Sequence, residues 1–121
     1  MNLSKLVFFL SLAAVFILSI VNADQIPKIN ALGFITDKLI HFLIYFYLAL
    51  LGLICRFKIK NVLLVFYVFL FGFFIEMIHF YHPNRFFEYF DLLANLIGVT
   101  IALLIYRLKS KLIYWFISIS P

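Results

Sequence analysis

Along the chain, long apolar runs alternate with short polar breaks. Leu6 to Ala23 carries no charge, and Leu39 to Cys55, Asn61 to Ile75 and Leu92 to Tyr106 repeat the pattern. A helix that crosses the hydrocarbon core needs about 20 mostly apolar residues. The last two uncharged runs fall short of that, so the third must continue through Glu76 to Tyr81 and the fourth must begin near Phe87. The pattern therefore predicts an all-α membrane protein of one domain, residues 1–121, with four transmembrane helices at about 6–23, 37–55, 61–81 and 87–106. The apolar tail from Leu112 to Ser120 is too short to span. Its Tyr114 and Trp115 suit a short interfacial segment at headgroup level.

The breaks predict the connections. Asp24 to Thr36, with Pro27 and Gly33, is expected to be the one loop of any length. Thr36 can then cap the second helix, with Asp37 in its first turn against the positive end of the helix dipole. Arg56 to Lys60 reads as a tight turn, as does His82-Pro83-Asn84-Arg85, where Pro83 disfavours helix at His82. Asn84 is a candidate cap for the fourth span. Lys5, the apolar run and Val21-Asn22-Ala23 also resemble a secretory signal cleaved after Ala23. The run is long for that role, and Asp24 faces outward in either case.

Composition excludes a soluble fold. The chain is 67% hydrophobic, against roughly 45–50% in an average soluble domain, and a small domain could not hide that much apolar surface. The abundance of Phe follows base composition as much as selection, so Phe stripes carry no functional weight. A single cysteine, Cys55, excludes an internal disulfide and a cysteine-based zinc site.

Charge adds orientation. Lys5, Arg56, Lys58, Lys60, Arg107, Lys109 and Lys111 fall on one side of the predicted bundle, and Lys28, Lys38 and Arg85 on the other. Excess Lys and Arg in short loops marks the cytoplasmic side, so both termini are expected to be cytoplasmic. The net charge of +5 is then a grip on anionic inner-leaflet lipid, split among short segments, and not a nucleic-acid patch. Asp24, Asp37, Glu76, Glu88 and Asp91 all fall on the outer half.

Lengthening the third and fourth spans draws Glu76 and Asp91 inside the membrane boundary, where ionisable groups usually face the bundle interior and pair. Helical spacing organises them. Asp37, His41 and Tyr45 follow i, i+4, i+8 on span two. Glu76 and His79 share a face of span three, with Gly72 one turn deeper. Asp91, Asn95, Gly98 and Ala102 form a stripe on span four, polar outside and small below, suited to close packing. With Lys38 and Arg85, these residues make a candidate polar cluster: Asp37, Lys38, His41, Tyr45, Glu76, His79, Arg85, Asp91 and Asn95.

The blocks Asp37-Lys38-x-x-His41-Phe42-x-x-Tyr45, Glu76-x-x-His79-x-x-His82-Pro83-Asn84-Arg85 and Asp91-Leu92-x-Ala94-Asn95-x-x-Gly98 resemble the VanZ-like family of membrane proteins in order and spacing over residues 37–98. His79 stands where that family usually has Gln, and Asn84 where it often has Gly. The resemblance implies a multi-pass cell-envelope protein of the bacterial cytoplasmic (inner) membrane. The founding member of the family is linked to resistance to teicoplanin-type antibiotics, which carries fold and location further than mechanism.

Three uses of the cluster stay open on the sequence. In the first, a purely structural network fixes helix register, with Asp91 or Glu76 paired to Arg85 and hydrogen bonds from His41 and Asn95. In the second, Lys38 and Arg85 hold the phosphate of an anionic lipid or glycolipid headgroup, oriented by Asp37, His41 and Glu76. In the third, Asp37, His41, Glu76, His79 and Asp91 ligate a divalent metal that activates water against a lipid-linked phosphate. The Gln usual at the His79 position argues against an obligatory metal. Charges are missing from the inner halves of the spans, which argues against an ion relay. The expected partners are membrane lipids, with a membrane-protein partner or a second copy of the chain also open; no cofactor and no nucleic acid are expected.

Overall fold

The structure, a computed structural model, describes residues 2–21, 31–81 and 89–119. Its elements are four helices: α1 (Leu3–Val21), α2 (Ala31–Ile54), α3 (Asn61–Tyr81) and α4 (Tyr89–Ile119). Each holds a stretch of at least 18 residues long and apolar enough to cross a membrane. Exposed Leu, Ile, Phe and Val side chains cover their outer faces. In lipid such surface carries no penalty, while helices satisfy every backbone polar group internally.

The helix limits follow local chemistry. Asn2 caps α1, its Oδ1 accepting from the Lys5 amide at 3.0 Å, an N-cap geometry that the apolar pattern did not reveal. α3 has the limits its hydrophobic run predicts. α2 begins at Ala31, so residues 31–36 are helical rather than loop, Thr36 is no cap, and Asp37 lies in the second turn. One Gly in a helix costs only about 1 kcal/mol relative to Ala. Gly33 therefore does not stop an otherwise apolar helix. The predicted turn at His82–Arg85, with the Asn84 cap, lies outside the described residues.

α4 also departs from expectation. It runs unbroken for 31 residues, about 46 Å at 1.5 Å per residue, so the tail beyond Leu112 is part of α4 rather than a separate interfacial segment. Arg107, Lys109 and Lys111 interrupt the hydropathy. They do not interrupt the helix, because Lys and Arg are among the better helix formers.

Contacts give the helix directions. Lys38 near the start of α2 meets Asp91 near the start of α4, and Gly98 lies against the backbone of Phe42 and Phe46, so α2 and α4 run parallel. α3 returns between them. Its Gly72 faces Tyr45 of α2 and Asn95 of α4. α1 runs against α2: Ser11 and Tyr47 share a hydrogen bond of 2.9 Å, and Phe8 packs near Gly52 and Phe57. Buried Leu48, Ala49, Leu53, Val65, Val68, Val99 and Ala102 form the core, to which Phe8 is α1's buried contribution among the described residues.

The bundle is thus polarised. One end gathers Lys5, whose ammonium lies 5.2 Å from the centre of the Phe57 ring, with Arg56, Lys58 and Lys60 of the α2–α3 turn. The opposite end holds Asp37, Lys38, Glu76 and Asp91. The turn at the basic end opens with Arg56 at φ 56°, in the left-handed region that closes many helix C-termini. An L-residue there costs roughly 1–2 kcal/mol, partly offset by the greater chain entropy of a glycine. Arg56→Gly is therefore expected to stabilise the protein slightly, by about 0.5 kcal/mol, read as a small rise in unfolding temperature in detergent.

Candidate functional site

The site grows from the α2–α4 contact. Gly98 permits it: a Cβ on Gly98 would stand 2.6 Å from the carbonyl oxygen of Phe42 and 3.1 Å from the amide nitrogen of Phe46. Such small-residue packing is how helices approach closely without a hydrophobic driving force between them. The α2 stripe that faces α4 is Lys38, Phe42, Tyr45 and Ala49, at i, i+4, i+7, i+11. It is shifted by one residue from the Asp37–His41–Tyr45 stripe that the polar pattern suggests.

That shift brings Lys38 to Asp91. The Lys38 ammonium donates to Asp91 Oδ1 at 2.5 Å and to Asp37 Oδ2 at 2.9 Å. The Lys38 and Asp91 side chains are only 15% and 8% exposed. Water screens such a pair weakly, and losing one partner leaves a charge with no match. His41 completes the group from the next turn of α2. Its Nε2 lies 3.8 Å from Asp37 Oδ1 and 3.6 Å from Asp91 Oδ2, beyond hydrogen-bond reach of either carboxylate. Its Nδ1 is buried with no hydrogen-bond partner. Asp37 and His41 remain partly exposed, so the cluster has a buried side toward α4 and an open side.

Below this group lie Tyr45, Glu76 and Asn95, all nearly fully buried. Tyr45 and Asn95 close over Gly72, where a Cβ would meet Asn95 Nδ2 and the Tyr45 ring at 2.8 Å. Asn95 Oδ1 has no hydrogen-bond partner, so Tyr45 does not donate to it. Glu76 lies within electrostatic range of Tyr45 and Asp91. The structure therefore brings Asp37, Lys38, His41, Tyr45, Glu76, Asp91 and Asn95 to one end of the bundle. Arg85 lies outside the described residues, as does the side chain of His79. Among the described residues Asp91 pairs with Lys38; the expected pairing of Asp91 or Glu76 with Arg85 lies outside them. The recurrence of Lys38, Phe42, Tyr45 and Ala49 opposite a small-residue stripe was the available signal.

Asp37, His41 and Asp91 also offer ligand atoms that all lie within 4.8 Å of one another, a spacing that suits a divalent metal. The Lys38 ammonium bonds both carboxylates of this trio, which is the role a metal would take. The donor set thus fits a cation, and the chain supplies its own.

Fold and site together define a multi-span membrane protein of four helices, polar and acidic at one end and basic at the other. The sequence model described as VanZ/LLP1 matches residues 1–111, wider than the 37–98 that carry the motif blocks. The chain belongs to the VanZ/LLP1 family. No curated protein and no solved structure matches it.

Proposed function

We propose that the acidic end faces out of the cell from the cytoplasmic membrane and receives the hydroxyl-rich headgroup of a membrane glycolipid. The observation that carries this reading is the open side of the cluster. His41 Nε2 stands 3.6 and 3.8 Å from two carboxylates, a separation that a hydroxyl or a water bridges by hydrogen bonding to both sides. Asp37, His41 and Asp91 would hold sugar hydroxyls, while Lys38 bonds both carboxylates and keeps the open side in place. The orientation rests on the basic residues at the other end. Because Lys38 is already matched by two carboxylates, the cation to meet a lipid phosphate is Arg85, assigned from sequence alone.

Native mass spectrometry of the protein in nanodiscs tests this with a polyprenyl-phosphate-linked saccharide as probe. The wild type is expected to retain the probe at least tenfold better than the same polyprenyl phosphate without sugar. Asp37→Asn and His41→Ala are expected to lose that preference with little change in stability. Equal retention of both lipids by the wild type refutes the reading.

The 4.8 Å trio keeps a second reading, a metal-dependent hydrolase of a lipid-linked phosphate, in play. For it, a cation would displace the Lys38 ammonium from Asp37 and Asp91.

A further inference from the structure

At the basic end, the α2–α3 turn and the first turns of α3 enclose an open groove of about 950 Å³. Its floor is apolar: Phe57, Ile59, Val62, Leu63 and Phe66. Lys58 and Lys60 stand on its rim, both exposed. Arg56 precedes them, and no acidic residue occurs between Cys55 and Ile75. The first amides of α3 add to this positive potential, because the opening N–H groups of a helix have no intrahelical acceptor and carry the positive end of its dipole. From the rim, the exposed side chains of Val62 and Phe66 lead one helical turn down α3 toward the middle of the membrane.

We infer that this groove binds one anionic phospholipid, its phosphate between Lys58 and Lys60 and one acyl chain along Val62, Leu63 and Phe66. The occupant follows from charge and shape together. Two lysines over an apolar channel, at the end where helices meet the headgroups, match a negative headgroup joined to a hydrocarbon chain. A zwitterionic lipid would fill the channel without using the lysines. A second copy of this chain would bring the same positive rim against itself. The inference is independent of the glycolipid reading, since it concerns the opposite end of the bundle.

The test is native mass spectrometry of the full-length protein released from nanodiscs of equal phosphatidylglycerol and phosphatidylcholine. The wild type is expected to keep one phosphatidylglycerol per chain. Lys58→Gln and Lys60→Gln are each expected to cut the preference about fivefold, the equivalent of about 1 kcal/mol per basic residue, while the paired arginine substitutions keep it. Val62→Trp, which fills the channel and leaves the lysines, is expected to reduce retention of both lipids. A wild type that keeps both lipids equally, or a Lys58→Gln/Lys60→Gln protein that keeps the preference, overturns the inference. So does a Leu63→Cys protein that cross-links two chains face to face in nanodiscs of phosphatidylglycerol.

Discussion

Replacing Gly98 with leucine is expected to force α2 away from α4 and to cost about 3 kcal/mol, the upper part of the range for overpacked interiors. The obstacle is backbone. A Cβ at this position meets the Phe42 carbonyl oxygen at 2.6 Å, and no rotamer change on α2 can move that atom aside. Alanine already carries the clashing Cβ, so Gly98→Ala is expected to cost about 1–2 kcal/mol. Thermal unfolding in detergent should rank wild type above Gly98→Ala above Gly98→Leu. Equal stability for all three would show that the helices do not meet at this depth. The substitution also acts on the site, because seven residues earlier on the same α4 face Asp91 depends on the approach that Gly98 permits.

The second large effect belongs to Lys38. Lys38→Met keeps most of the side-chain volume and removes the charge that holds Asp37 and Asp91 together. Breaking a well-buried pair from one side costs roughly 3–5 kcal/mol; with the partial exposure here, about 2–3 kcal/mol is expected. Adding Asp91→Leu to Lys38→Met removes the orphaned carboxylate as well, and an apolar pair of similar volume is expected to restore most of the loss. Thermal unfolding of the two single variants and the double variant measures the coupling directly. Additive losses would mean that Lys38 and Asp91 do not form the pair.

Zinc gives Lys38→Met a second readout. With the ammonium gone, Asp37, His41 and Asp91 keep their ligand atoms within 4.8 Å. Zinc is expected to stabilise Lys38→Met and to leave the wild type unchanged. Stabilisation of the wild type by zinc would instead favour the hydrolase reading, because the metal would then be displacing Lys38.

The spans were legible because hydrophobic length is a one-dimensional property, and α3 kept the limits its run predicts. The misread limits have one cause. Gly33, Thr36 and the basic group at 107–111 interrupt hydropathy without breaking a helix, so α2 starts earlier and α4 runs further than the apolar pattern alone implies. Asp37, Lys38, His41, Tyr45, Glu76, Asp91 and Asn95 were legible as a group at one end of the bundle, but the contact of Lys38 with Asp91 was not. Adjacent residues on a helix differ by about 100°, so a polar stripe through Asp37 and a mixed stripe through Lys38 predict different faces toward α4. The choice between them was made by Gly98, which accepts the Phe42–Phe46 backbone and thereby turns Lys38 onto Asp91. The groove at the basic end is a property of the α2–α3 turn in three dimensions and left no trace beyond the run of alternating basic and apolar residues from 56 to 60.

Lys38→Met/Asp91→Leu is expected to keep the helix packing while abolishing the charged half of the cluster, which makes it the sharpest probe of the acidic end. Retention of the polyprenyl-phosphate-linked saccharide by this variant in nanodiscs is therefore the most direct measurement. The site proposed here predicts a folded protein that keeps its unfolding temperature within a few degrees and loses the saccharide preference. A folded double variant that retains the saccharide as well as the wild type does would contradict it, and would leave Lys38 and Asp91 as a clamp between α2 and α4 and nothing more.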